Sequence, residues 1–171
     1  VYGSRLKAVE AEVQMLQAQM NPHFLYNTLD SINWLAYSAG QQQISRMVNA
    51  LSRFFRLGLG GGMIVHPIRQ EVEHVRSYMT IQQVRYQNAI RFETDIEEGC
   101  LSFTTVRYVL QPLVENSIYH GLDPKGGRGT IRLSIWRDED SIRMRVRDDG
   151  VGFSSETEHL EGDTPGDHLG I

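Results

Sequence analysis

Leu6, Val9, Val13, Leu16 and Met20 recur at alternating three- and four-residue steps until Pro22 interrupts them, and this break constrains the chain most. A three-four repeat is the a/d seam of a coiled coil, with Lys7, Glu10 and Glu12 off the seam, so it requires a partner helix to cover it. Beyond Pro22 the apolar stripe restarts in a new register as Leu25, Leu29, Ile32 and Ala36. Proline removes an interior helix hydrogen bond, so the helix is expected to kink there and change its buried face. A turn over 38–43 precedes a second amphipathic stripe: Ile44, Met47, Val48, Leu51, Phe54 and Phe55. Two helices so briefly joined form an antiparallel hairpin.

Gly58, Gly60, Gly61 and Gly62 come next, and with no Gly-Lys-Ser/Thr behind them they read as a linker rather than a phosphate loop. Pro67 opens a third helix with the stripe Ile68, Val72, Val75 and Met79, running to about Tyr86. Its Glu71, Glu73, His74 and Arg76 read as a solvated face. Ile90, Phe92, Thr94 and Ile96 then alternate with polar residues as in a half-buried strand. Val106, Val109, Leu110, Leu113, Val114 and Ile118 return to helical spacing. Ile131, Leu133, Ile135 and Ile142, Met144, Val146 mark two strands joined across the acidic turn 138–140. The order predicts an α+β chain of two modules, a helical hairpin over 1–62 and mixed helices with antiparallel strands over 63–171. From Val151 onward the chain reads as a polar, mobile loop.

Composition narrows the function classes. Of 171 residues 40% are hydrophobic, enough for a core, and the net charge of -4 with no basic block argues against a nucleic-acid partner. A single cysteine, Cys100, supports neither an internal disulfide nor a cysteine-rich metal site and suits a reducing compartment. No apolar run approaches the roughly 18 residues of a membrane span. The chain opens at Val1 without a Met, and we read it as a segment of something longer.

Three constellations carry candidate chemistry. His23 lies about 160° around the helix from Leu25, with Asn27 within about 40° of His23, so both turn away from the buried stripe. By position alone this is equally a surface histidine beside a surface amide. An exposed imidazole is nevertheless a competent nucleophile once positioned, and Asn27 stands where it would orient the ring or a water. Asn116 and His120 are four apart on a later helix and would reach one ligand together, or are ordinary surface groups. His120 has no second ligand at a zinc-type spacing. Strand parity puts Asp148 on the apolar side with Ile142, Met144 and Val146, and Arg143, Arg145 and Arg147 on the other. An unpaired buried carboxylate costs several kcal/mol, so Asp148 calls for a donor, and a ligand amino group would serve. Gly150 and Gly152 allow close backbone approach to that ligand.

From about Leu16 to Ile171, these residues in this order resemble the two-component sensor histidine kinases, specifically the LytS/YesM-like branch. The stretch Gln17-Ala18-Gln19-Met20-Asn21-Pro22-His23-Phe24-Leu25-Tyr26-Asn27-Thr28-Leu29 is similar to that branch's phospho-acceptor box. Leu110-Gln111-Pro112-Leu113-Val114-Glu115-Asn116 with His120-Gly121 resembles its asparagine box, and Asp148 to Gly152 its first glycine box. The resemblance implies a hairpin that dimerises into a four-helix bundle, followed by a Bergerat-type α/β sandwich that binds ATP. It implies Asp148 at the adenine amino group, Asn116 holding Mg²⁺ against the phosphates, and His120, Gly150, Gly152 and Gly170 around the nucleotide. His23 would take the γ-phosphoryl group and pass it to an aspartate on a response regulator receiver domain.

Where many histidine kinases carry a carboxylate after the histidine, Phe24 stands, and Glu115 is the candidate general base in its place. The second glycine box has only begun at His168-Leu169-Gly170-Ile171, so the resemblance implies an ATP-binding domain incomplete at its C-terminus and weak ATP binding by this segment. It also implies the cytoplasmic segment of a bacterial membrane protein, with the coiled coil linking it to an upstream sensor region. Two other classes remain open: a non-catalytic dimeric signalling scaffold, and a GHKL-type ATPase that releases phosphate to water.

Overall fold

Among the described residues the first helix is α1 (Pro22–Ser38). The structure, a computed structural model, describes residues 22–59 and 64–152. The heptad seam, the expected kink, the glycines at 60–62 and the chain beyond Gly152 lie outside the described residues. α1 ends in a left-handed Gly40, whose N–H donates to the Tyr37 carbonyl at 3.0 Å while the Gln41 N–H donates to that of Ala36 at 2.8 Å. This pair of bonds satisfies carbonyls that the helix leaves without partners. The second helix, α2 (Gln42–Leu59), then returns along α1.

The hairpin is held differently from what the stripes predict. The buried residues are Leu29 and Ala36 in α1, and Ser45, Ala50 and Ser52 in α2. Ser45 Oγ and Asn49 Nδ2 both donate to Asn33 Oδ1, at 2.6 and 3.0 Å, which pins the register with polar contacts. Ile32 and Ile44, expected inside, are 42% and 50% exposed, alongside Phe24, Trp34, Leu35 and Tyr37. Apart from Leu29 the buried residues of the two helices are small, while these bulky apolar groups are exposed.

Two sheets follow. A short antiparallel pair, β1 (Val65–Pro67) with β3 (Thr104–Val106), brackets α3 (Ile68–Arg85). The main sheet has the order β2 (Ile90–Ile96), β4 (Gly129–Asp138), β5 (Ser141–Asp148). β4 and β5 form the predicted antiparallel hairpin, but β2 runs parallel to β4. The parallel pairing arises because α4 (Leu110–Asn116) carries the chain across one face before β4 begins. α3 and α4 cover that face. Ile68, Val72, Val75 and Met79 with Leu110, Val114, Ile118 and Leu122 pack on Ile90, Ile131, Leu133 and Ile135. Each such side chain contributes roughly 1.5–3 kcal/mol by leaving water. The opposite face is polar, with Arg132 paired to Glu93 at 2.6 Å and the Arg145 guanidinium over the Trp136 ring.

Two expectations about helix faces are corrected. Glu71 and His74 are buried, 0% and 2% exposed, while Glu73 and Arg76 remain in solvent. The reason is that α3 is covered on two sides: the sheet lies on one, and Phe54 of α2 stacks on the His74 ring at 4.3 Å on the other. Val106, assigned to a helix by its spacing, belongs to β3 and pairs with Val65. Val109 and Leu113 are 41% and 44% exposed, so the core stripe of α4 is Leu110, Val114, Ile118 and Leu122.

Candidate functional site

His23 and Asn27 lie in the first turns of α1 and both are exposed. The rest of the candidate chemistry gathers around α4. Glu71 fixes the start of that helix: its Oε1 accepts the Leu110 N–H at 2.9 Å, and its Oε2 accepts the Tyr108 N–H at 3.1 Å and lies 2.6 Å from His66 Nε2. A buried carboxylate thus satisfies N–H groups that a helix start leaves without partners. After Asn116 the helix widens into a π-helical turn, Ser117–Leu122, a distortion frequent at functional sites.

The widened turn faces the end of β5 across a cleft of about 430 Å³. Leu113, Asn116, Ser117, His120 and Gly121 line one wall, and Val146, Asp148 and Gly152 the other. Asn116, His120, Asp148 and Gly152, singled out in the sequence, therefore share one cleft. Neither Asn116 nor His120 has a side-chain hydrogen bond among the described residues, so both have donors and acceptors to offer a ligand. Leu113 and Val146 add apolar groups to this polar lining.

Glycines make the two walls meet. A Cβ on Gly121 would stand 2.6 Å from Asp148 Oδ1, and one on Gly150 would overlap the Gly121 backbone. The Val151 N–H donates to the Gly121 carbonyl at 3.0 Å, and Asp148 Oδ1 accepts the Gly150 N–H at 2.9 Å. Gly150 thus packs against the helix, while Gly152, with φ +72, borders the cleft. The neighbouring Asp149 turns away. Its Oδ1 accepts the Thr130 N–H and a Lys125 Nζ hydrogen, each at 3.0 Å, and these bonds hold its carboxyl below the usual carboxylate range.

Glu115 lies outside the cleft lining, half-buried, and accepts a hydrogen bond from Gln111 Nε2 at 2.8 Å. Gly170 lies outside the described residues. Among the described residues no three His, Cys, Asp or Glu side chains gather as a metal site, and no helix is long and apolar enough to cross a membrane. A wider groove of about 970 Å³ between α2 and α3 is lined by Arg46, Arg53, Arg56 and Arg76 but holds none of the residues singled out. Sequence reasoning missed Ser117 and Gly121 as lining residues, and Glu71 as their support. Glu71 stands three residues after Ile68 and four before Val75, the spacing of a buried face, and that was the available signal.

Two family models match parts of the chain. The histidine kinase family model matches residues 11–90, and the model for histidine kinase-, DNA gyrase B-, and HSP90-like ATPases matches residues 102–168. The chain is 40% identical over 144 residues to Sensor histidine kinase YesM of Bacillus subtilis, a match covering 84% of this chain and 25% of that protein. It is 32% identical over 156 residues to Sensor protein LytS of Enterococcus faecalis, covering 91% of this chain and 26% of that protein. LytS of Bacillus subtilis is 31% identical over 145 residues, covering 84% of this chain and 24% of that protein. The chain spans about a quarter of the length of these relatives.

Proposed function

The chain belongs to the sensor histidine kinases of the LytS/YesM type, and from that membership we propose that it autophosphorylates His23 from ATP and passes the phosphoryl group to a response-regulator aspartate. The observation that carries the reading is the convergence of Asn116, His120 and Asp148 on one cleft. Asp148 Oδ1 already accepts the Gly150 N–H, and the carboxylate's remaining lone pairs are directed to an adenine amino group. Asn116 and His120 stand one helical turn apart along the cleft and orient the polyphosphate. Asn116 is the residue to hold Mg²⁺, which when bound offsets charge on the phosphates. His23, exposed at the end of the hairpin, presents a ring nitrogen to the γ-phosphorus: the N–P bond forms as the bond to the bridging oxygen breaks, and ADP leaves. Asn27, one turn on, orients the ring or a water, and Glu115 is the candidate acceptor of the ring proton.

The same reading places the hairpin and seam over 1–62 and the nucleotide module over 63–171, and makes the active species a homodimer. The receiver domain docks near His23, and an upstream membrane sensor region of the same protein supplies the signal to this cytoplasmic segment. Labelling with γ-labelled ATP tests the reading: an acid-labile, base-stable label lost in His23→Gln is expected. Phosphate released to water with no label on His23 identifies an ATPase instead, and absence of nucleotide binding by the full protein identifies a scaffold.

A further inference from the structure

Tyr108 has φ 60, in the left-handed region that a bulky side chain seldom enters. Such a conformation persists only where its surroundings over-determine it, and here they belong to two different parts of the molecule. On the backbone side, the Tyr108 and Leu110 N–H groups donate to the two oxygens of Glu71, in α3. On the side-chain side, the Tyr108 O–H donates to the Gly58 carbonyl in the last turn of α2. Arg107 adds to the same end: its Nη2 donates to the carbonyls of Leu57 and Gly58 at 2.6 and 3.2 Å, with the guanidinium 5.2 Å from the Tyr108 ring centroid. Last-turn carbonyls have no partners within their helix, and a cation there meets the negative end of the helix dipole. The Arg107 N–H donates to the Ile64 carbonyl at 3.0 Å, which closes the loop onto the strand pair. One strained residue is therefore bonded to the helix that pairs with the His23 helix, and directly precedes the helix that carries Asn116 and His120.

We propose that Tyr108 is a positioning residue that fixes the nucleotide cleft relative to the hairpin, so that displacement at the end of α2 is passed to the first turn of α4. The proposal rests on the reading of His23 as phosphoryl acceptor. Tyr108 is absent from the cleft walls, so it acts on the geometry of transfer and leaves nucleotide affinity alone. Transfer between two parts of a molecule depends chiefly on their relative placement, to which the Tyr108 and Arg107 bonds to the end of α2 contribute.

Tyr108→Phe tests this, because it keeps the ring beside His74 and under Arg107 and deletes only the O–H. Amide exchange in the last turn of α2 and the first turn of α4 is expected to accelerate together, by roughly 3- to 10-fold for one lost hydrogen bond, with β4 unchanged. The KM for ATP is expected to stay within about twofold while the rate of His23 labelling at saturating ATP falls roughly fivefold or more. Faster exchange confined to α2, or an unaltered rate at saturating ATP, overturns the proposal. If the parent protein never labels His23, the functional reading fails, and the paired exchange measurement alone decides whether Tyr108 couples α2 to α4.

Discussion

At the scale of single residues, exposure separates chemistry from structure. His23 is exposed on α1, so His23→Gln is expected to abolish labelling while shifting unfolding free energy by no more than about 0.5 kcal/mol. Glu71 is the opposite case. Glu71→Ala leaves the Tyr108 and Leu110 N–H groups without their carboxylate, at about 1–3 kcal/mol for each donor stranded in the interior. Urea denaturation is expected to show a loss of at least about 2 kcal/mol, far larger than for Glu73→Ala on the exposed side of the same helix. His74 gives a pH dependence. Burial, reinforced by Arg107 and His66 and opposed by Glu71, holds its pKa below the ordinary 6.5. Its contribution to stability is complete above about 6.5 and is lost as pH falls toward the lowered value, because the unfolded chain then takes up a proton that the folded chain refuses. His74→Phe keeps the ring stacked on Phe54 and removes ring nitrogens that have no hydrogen-bond partner among the described residues. Denaturant midpoints at about pH 5 and pH 7.5 are expected to lie closer together in that variant than in the parent.

At the scale of elements, the cleft depends on two glycines more than on any polar group. The end of β5 approaches the π-helical turn of α4 so closely that a methyl group on Gly150 would overlap the backbone of Gly121, which cannot move aside as a side chain would. Gly150→Ala is therefore expected to separate the walls. Nucleotide affinity measured calorimetrically on the full protein falls by at least about tenfold, the equivalent of one lost charge-assisted contact. The helices and sheet, read by circular dichroism, are retained, because the core of Leu110, Val114, Ile118 and the β4 side chains lies elsewhere. Gly152→Ala has no neighbour within 4 Å to strike among the described residues, and its cost there is that of φ +72. Equal losses in the two variants would show that backbone conformation, and not wall contact, shapes the cleft.

At the scale of the whole molecule, the hairpin leaves Ile32 and Leu35 exposed three residues apart on α1, 42% and 61%, where a second hairpin would cover them. Replacing both with Asp is expected to yield monomers by sedimentation at micromolar concentration, with the sheet domain intact. An unchanged dimer would place the interface elsewhere. Much of this architecture was legible in the sequence because it is written in local periodicity. Helical stripes located α1, α2 and α3, alternation located β2, β4 and β5, and parity alone put Asp148 on the same side as Val146. Those signals depend on the rise and rotation of the backbone, which are the same in any context. What required the tertiary structure was every feature decided by a neighbour distant in the chain. α2 covers a second side of α3 and so buries His74; Glu71 reaches 37 and 39 residues along the chain to the Tyr108 and Leu110 N–H groups; Asn33 sets the hairpin register; Gly121 meets Gly150. The sequence by itself determined where α1, α2, α3, β2, β4 and β5 form, because each is a local choice among few backbone states. Only the packed molecule decided which polar residues are buried and where the cleft opens, because those depend on what lies against each face.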